Sequence, residues 1–448
     1  MKLISRLAGR ARLSTRDVNR LLPRLTGLAL GALAALPAGA VDLKTADGAW
    51  TFSIDGEVNV DYIFSSCQSV SSAVAVGGGL TCVGSASGSS VSNIGNGLLP
   101  AAFTFGVATT QDGIDLAAHL GLYPGIATND GGSPNLEANS SNGSSNTALG
   151  TTGLDIRQVY MTFGNKDMGT FTLGRNIGLF GADVILADMT LPGVGAPGSA
   201  AGPAPANTTL GGIGLGYIYT DWLGQIDYTT PDFSGFNLTA GVFDPLNSLT
   251  DIGTVEAKKA PGFHGKLTYT IPMGGEGDKL YFSVAALQQK QNYQLPATLT
   301  AGPTPYSYSG SGVDVFGKLD IQGLEVVAYY YHATGLGTTA LFLDGAFDGA
   351  GELGQTRTSY GYFGQITYKI GPVKLGYNHG DSRLNFADSL DQTANPDLVR
   401  SNRKDTVGLY YSLTKSLTLL AEGSYVKDAS AAGSNTATTV NVGAYLGF

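Results

Sequence analysis

Residues 50–64 read Trp50-Thr51-Phe52-Ser53-Ile54-Asp55-Gly56-Glu57-Val58-Asn59-Val60-Asp61-Tyr62-Ile63-Phe64. Trp50, Phe52, Ile54, Val58, Val60, Tyr62 and Phe64 alternate with Thr51, Ser53, Asp55, Glu57, Asn59 and Asp61. Successive side chains of a strand point to opposite faces, so this segment is a strand with one apolar and one charged face. A soluble sheet with its apolar face in a core carries the same pattern. The decision rests on whether the rest of the chain repeats it, and on how the repeats are joined.

The alternation recurs around Phe105, Leu120, Met161, Leu173, Ile226, Leu238, Leu267, Phe282, Val315, Val326, Ile366, Leu375, Leu409, Leu419 and Val442, which makes about sixteen strands. Seven connections are short: Gln111-Asp112-Gly113, Asn165-Lys166-Asp167, Pro231 to Gly235, Pro272 to Asp278, Asp320 to Gly323, Gly371-Pro372 and Thr414-Lys415-Ser416. The connections between them are long, above all residues 124–152 and 176–221. Short turns at one end and long loops at the other are the mark of a transmembrane antiparallel β-barrel. Such a sheet must close, because no open edge can be satisfied in hydrocarbon. A β-sandwich array or β-helix would have similar turns at both ends and a fixed short repeat, which the chain lacks. Trp50, Tyr62, Phe64, Trp222, Tyr228, Tyr269, Tyr368 and Tyr425 lie near strand ends, as interfacial girdles require. The expected fold is therefore all-β, a barrel over residues 41–448.

Composition agrees. Charged residues are 14% of the chain, against roughly 25% in soluble domains. Residues 1–40 hold seven bases (Lys2, Arg6, Arg10, Arg12, Arg16, Arg20, Arg24), one acid (Asp17), an apolar stretch from Leu25 to Leu36, and Ala38-Gly39-Ala40. This reads as a signal peptide cleaved near Ala40, with an amphipathic arm as the alternative. Removing its net +6 from the overall −9 leaves about −15, too acidic for a nucleic-acid partner. No apolar run after Ala40 is long enough for a transmembrane helix. Cys67 and Cys82, the two cysteines, are expected to pair, and such a bond would stabilise their loop by about 3 kcal/mol.

Several segments resemble the Gram-negative general porin family. Gln225-Ile226-Asp227-Tyr228-Thr229-Thr230-Pro231-Asp232-Phe233-Ser234-Gly235-Phe236 is similar to the strand-turn-strand that follows the third external loop, and Thr172-Leu173-Gly174-Arg175-Asn176 to the entry into it. Val442-Gly443-Ala444-Tyr445-Leu446-Gly447-Phe448 resembles the C-terminal assembly signal, which ends in phenylalanine. The resemblance implies an outer-membrane homotrimer, surrounded by outer-membrane lipid and inserted by the barrel assembly machinery through its last strand. It also implies a third loop, here 176–221, folded into each lumen to narrow it.

A pore needs no cofactor or catalytic step; its chemistry is size, hydration and the field at its narrowest ring. Asp183 and Asp188 are the acids this loop would present to the constriction. Strand parity turns Asp55, Glu57, Asp61, Asp115, Asp227, Asp314, Glu325 and Glu422 inward, with Lys266, Lys318, Arg357, Lys374 and Lys404 as the bases. Arg157 and Arg175 join them if their strands bulge. The excess of acids points to a cation preference. Inward Tyr281, Phe316, Tyr329, Tyr331 and Tyr410 leave open a substrate-specific pore for a sugar or organic acid. An outer-membrane enzyme has less support, since the four histidines lie on separate strands and no Gly-x-Ser-x-Gly or His-Glu-x-x-His occurs. An adhesin would rest on Ser/Gly/Asn-rich loops, which surface exposure already explains.

Overall fold

The computed structural model describes residues 41–68, 74–81, 90–126, 154–197, 208–248, 250, 253–256, 258–275, 277–295, 304–349 and 352–448. The expected signal peptide and Cys82 lie outside the described residues. Cys67 is disulfide-bonded.

Sixteen strands form the wall: β1 Thr51–Cys67, β2 Ala102–Gln111, β3 Ile114–Pro124, β4 Leu154–Asn165, β5 Gly169–Ile177, β6 Trp222–Thr229, β7 Phe236–Phe243 and β8 Gly262–Pro272. They continue with β9 Lys279–Leu295, β10 Thr304–Ile321, β11 Leu324–Thr334, β12 Thr358–Ile370, β13 Val373–Leu384, β14 Ser401–Ser412, β15 Leu417–Ala429 and β16 Ser434–Gly447. Each pairs antiparallel with the next, and β1 closes the ring on β16 from Glu57 against Gly447 to Cys67 against Ala437. All seven short connections are turns at one end. Asp112-Gly113 and Gln322-Gly323 have positive φ at both residues, the two-residue turn whose twist matches its strands.

The faces are inverted relative to a soluble sheet. Phe52, Val60, Tyr62, Leu238, Leu267, Val284, Val315, Ile366, Leu409 and Val442 all point outward and are exposed, which is stable only against hydrocarbon. The alternate residues point in, and they are polar except where Leu287, Phe316, Val327, Phe363 and their neighbours form an apolar patch on the inner wall.

Three local departures escape the alternation rule. Ser90–Gly95 pairs with the upper part of β1 and β2 with the lower part, and between them Asn96 to Ala101 leaves the wall for the interior. Leu98-Leu99-Pro100 occupies that gap, and a proline cannot donate to a ladder. Val41–Lys44 folds back on Thr51 to Ile54. Between β3 and β4 the register slips as Gly121 faces Gln158 and Leu122 faces Ile156, leaving Arg157 as the extra residue of a bulge.

Candidate pore lumen and third loop

Inward side chains on β2–β5 are half-exposed at Thr104, His119, Gln158, Tyr160, Thr162, Thr172 and Asn176. On the opposite wall they are buried, as at Lys266, Asp314, Lys404, Thr406, Glu422 and Asn441. Most of the difference comes from the loop described at residues 178–197 and 208–221, with Asn96 to Ala101 and residues 74–81 lying on β14–β16 beside it. The loop contains a short helix, α1 Ala182–Ala187, and packs Phe180, Val184, Ile185, Leu191, Ile213, Tyr217 and Ile218 against Leu287, Phe316, Val327, Tyr329, Tyr331 and Phe363 of β9–β12. At 1.5–3 kcal/mol each, burying seven such side chains is worth about 10–20 kcal/mol.

Polar groups fix the register of that contact. Gly181 N donates to Asp314 Oδ2 at 2.7 Å. Gln365 donates to Ala187 O at 2.8 Å and accepts from Met189 N at 2.7 Å. Glu422 Oε2 accepts from Val194 N at 2.8 Å and Gly195 N at 2.9 Å, while Tyr410 donates to its other oxygen. The backbone of the loop reaches the wall at Gly380, where a Cβ would stand 1.8 Å from Leu215 O. The inward excursion of β2 joins in, with Leu98 N donating to Gly193 O at 2.6 Å and Leu99 N to Leu191 O at 3.0 Å.

Of the residues singled out from the sequence, Asp183 and Lys266 meet directly, Nζ to Oδ1 at 2.9 Å, with Tyr281 and Ser283 donating to Oδ2. Burial pushes the Asp183 carboxyl up, but the Lys266 charge and these donors outweigh it and hold the group below the usual carboxylate range. Asp188 does not face open lumen. It is buried, accepting from Thr190, Tyr217 and Asn378, with Lys404 Nζ at 3.9 Å. Lys318 and Lys374 lie toward the short-turn end. Lys318 pairs with Glu325 at 2.7 Å and Asp320 at 3.6 Å, and Lys374 sits over the Tyr410 ring.

Two bases, Arg175 and Arg357, depart from the expected inward set, while Arg157 sits at the bulge that its place in that set required. Arg175 stands opposite Val159, which is exposed on the outer face, so parity turns it outward and the entry to the loop does not bulge. Arg157, at its bulge, pairs with Asp155 at 3.3 Å and lies over the Tyr123 ring. Arg357 belongs to the long loops: Nε and Nη2 each reach Asp391 at 2.7 Å, on α2 Ser389–Ala394. Both side chains are nearly inaccessible, so Arg357→Ala is expected to cost about 3–5 kcal/mol, read as a lowered thermal midpoint with conductance unchanged. Burial pushes Asp391 up, but Arg357 and the donors around it more than reverse this. The folded value is therefore depressed, and the staple is present above the unfolded value near 3.8 and lost as pH falls through the folded one. Hydrogen exchange over residues 389–394 checks this.

Tyr281, Phe316, Tyr329, Tyr331 and Tyr410 point inward but lie beneath the loop or hydrogen-bond to Asp183, Asp314 and Glu422, so they brace the wall. His119 stacks on Tyr160 and His264 on Phe243, while His332 and His379 lie on the outer face. Gln365 and Asn378 had no signal beyond parity.

The barrel is similar to solved outer-membrane proteins at low identity. The channel DcaP of Acinetobacter baumannii aligns with a TM-score of 0.64 at 13% identity, covering 91% of this chain and 99% of that one. OmpT of Vibrio cholerae gives 0.52 at 13% identity over 91% and 100%, and OprB of Pseudomonas putida 0.51 at 12% over 90% and 95%. No curated protein sequence matches. A family model described as Gram-negative porin matches residues 26–444. That match spans nearly all of a chain whose sixteen strands close around a polar interior, and the chain belongs to the Gram-negative porin family.

Proposed function

We propose that this outer-membrane porin is a passive, non-enzymatic channel for ions and small polar solutes, working as a homotrimer after removal of a signal peptide near Ala40. The third loop, described at residues 178–197 and 208–221, is its constriction. The solute path runs along the inner face of β2–β5, and the observation that supports this is the contrast between that half-exposed wall and the buried one behind the loop. Asp314 and Glu422 are buried beneath the loop and give carboxylate oxygens to its N–H groups, so they do not line the open path. Phe448, ending the last strand, is the recognition element for assembly.

Thiol accessibility tests the path. Thr172 faces the open wall and Thr406 the covered one. A charged methanethiosulfonate is expected to reduce the single-channel current of Thr172→Cys within seconds and to leave Thr406→Cys unchanged. Block at Thr406→Cys, or none at Thr172→Cys, would place the path elsewhere.

A further inference from the structure

At one place along β2–β5 the open wall is more than a plain polar surface. His119 of β3 and Tyr160 of β4 are direct cross-strand partners, and their rings stack with centroids 4.6 Å apart and planes 18° from parallel. In the same lateral row Gly106 of β2 stands beside His119, and Gly174 of β5 beside Tyr160. The ring pair therefore has a glycine on each side. One face of the Tyr160 ring is taken by His119, and the other is turned toward Gly174, which has no side chain to cover it. Gly174 has φ +127°, and a Cβ there would stand 2.3 Å from Val159 O and 3.0 Å from Tyr160 Cβ. Residues other than glycine rarely adopt such a backbone conformation, so the backbone itself keeps the gap beside the ring open.

Uncharged polar groups border this gap. Gln158 and Thr162 are the inward neighbours of Tyr160 along β4, and Thr172 and Asn176 those of Gly174 along β5; all four are half-exposed. Tyr123 donates to Gln158 Oε1 at 2.5 Å, and Gln158 Nε2 donates to Asn176 Oδ1 at 2.9 Å. This relay occupies the acceptor of Asn176 and leaves its Nδ2 without an acceptor among the described residues. The charged inward residues of β2–β5 stand apart from the gap. Asp115 lies beside the Asp112-Gly113 turn, and Asp155 is paired with Arg157 at the long-loop end. Across the path, the third loop is half-exposed at Leu179, Leu186, Ala187 and Pro192, and its Asp183 is bound to Lys266.

An open aromatic face with amides and hydroxyls on its rim matches a sugar ring. The C–H groups of such a ring stack on the π face, and its hydroxyls hydrogen-bond at the edge. A carboxylate or ammonium solute would lose hydration there and meet no counter-charge. We propose that the gap bounded by Tyr160, Gly174 and Asn176 is a transient binding site for an uncharged pyranose on its way through the pore. The site rests on the solute path along β2–β5.

Swelling of liposomes carrying the folded protein, in D-glucose or in D-sorbitol, an acyclic polyol of nearly equal mass, tests this. Glucose is expected to enter about fivefold faster, the factor that one stacking contact supplies, and D-glucuronate to show no such gain. Tyr160→Phe keeps the ring and should keep the preference. Tyr160→Ala should lower glucose entry to the sorbitol rate, and Asn176→Ala should narrow the difference, with heat-modifiable gel migration confirming folded barrels. Equal entry of glucose and sorbitol through the wild type overturns the site, and so does a preference that survives Tyr160→Ala. If Thr172→Cys is nevertheless blocked by the charged thiol reagent, the path stands and the sugar site alone falls; without that block both fall.

Discussion

A chain lacking residues 182–217 is expected to form a channel with at least about double the conductance of the intact protein, because the deletion returns the covered half of the inner wall to water. The junction is sterically available: Ile218 O lies 2.8 Å from where a Cβ on Gly181 would be, so the two ends of the deletion already touch. Single substitutions should do far less. Glu422→Ala strands the N–H groups of Val194 and Gly195, at about 1–3 kcal/mol each. Leucine at Gly380 would push against Leu215 O, an overpacking that typically costs about 1–3 kcal/mol and more where backbone must move. Against about 10–20 kcal/mol of apolar burial, neither ejects the loop. They should give current flicker and a lowered thermal midpoint, with mean conductance changed by less than about twofold. The full deletion has its own cost, since Phe316, Tyr329, Tyr331 and Phe363 then face water. An unchanged conductance in a folded deletion variant would mean that the third loop does not limit flow, and the proposed constriction would fall.

The barrel was legible in the sequence because lipid enforces a rule with few exceptions. A period of two with an apolar outer face is required wherever a strand meets hydrocarbon, so Phe52 to Phe64 and Val440 to Leu446 declare their orientation locally. Turn chemistry, as at Asp112-Gly113, is equally local. The lumen is different. A polar residue there can satisfy itself with water, with a loop or with its neighbour, and parity says only that it points in. Asp183 and Asp188 are five residues apart in one loop, yet one meets Lys266 at 2.9 Å and the other is sealed beside Tyr217. Nothing local separates them, since Lys266, Asn378 and Lys404, the wall groups that meet them, come from strands far along the chain. Arg175 shows the opposite case, where strand parity with Phe171 and Leu173 already pointed outward and the appeal to a bulge was unnecessary. The inward turn of Asn96 to Ala101 lay in what read as a plain loop, and Leu98-Leu99-Pro100 was its one trace.

Closure of the ring separates two roles that the last strand could have. Removing residues 437–448 is expected to abolish the folded barrel in detergent and in cells alike. The β1–β16 seam carries eleven register pairs and β15–β16 thirteen, and an open edge in hydrocarbon costs several kcal/mol for each unsatisfied group. No local repacking recovers tens of kcal/mol. Phe448→Ala should behave otherwise. It keeps both backbone hydrogen bonds to Gly56 at 2.9 Å and loses the ring contact with Phe103, worth about 1–3 kcal/mol with the buried area included. This variant is expected to refold in detergent to a heat-modifiable barrel with a slightly lower midpoint, yet to reach the outer membrane at a small fraction of the wild-type level. Normal levels in cells would confine Phe448 to packing at the seam. Failure to refold in detergent would instead mean that the residue holds the closed ring together, and its role in recognition would need no separate explanation.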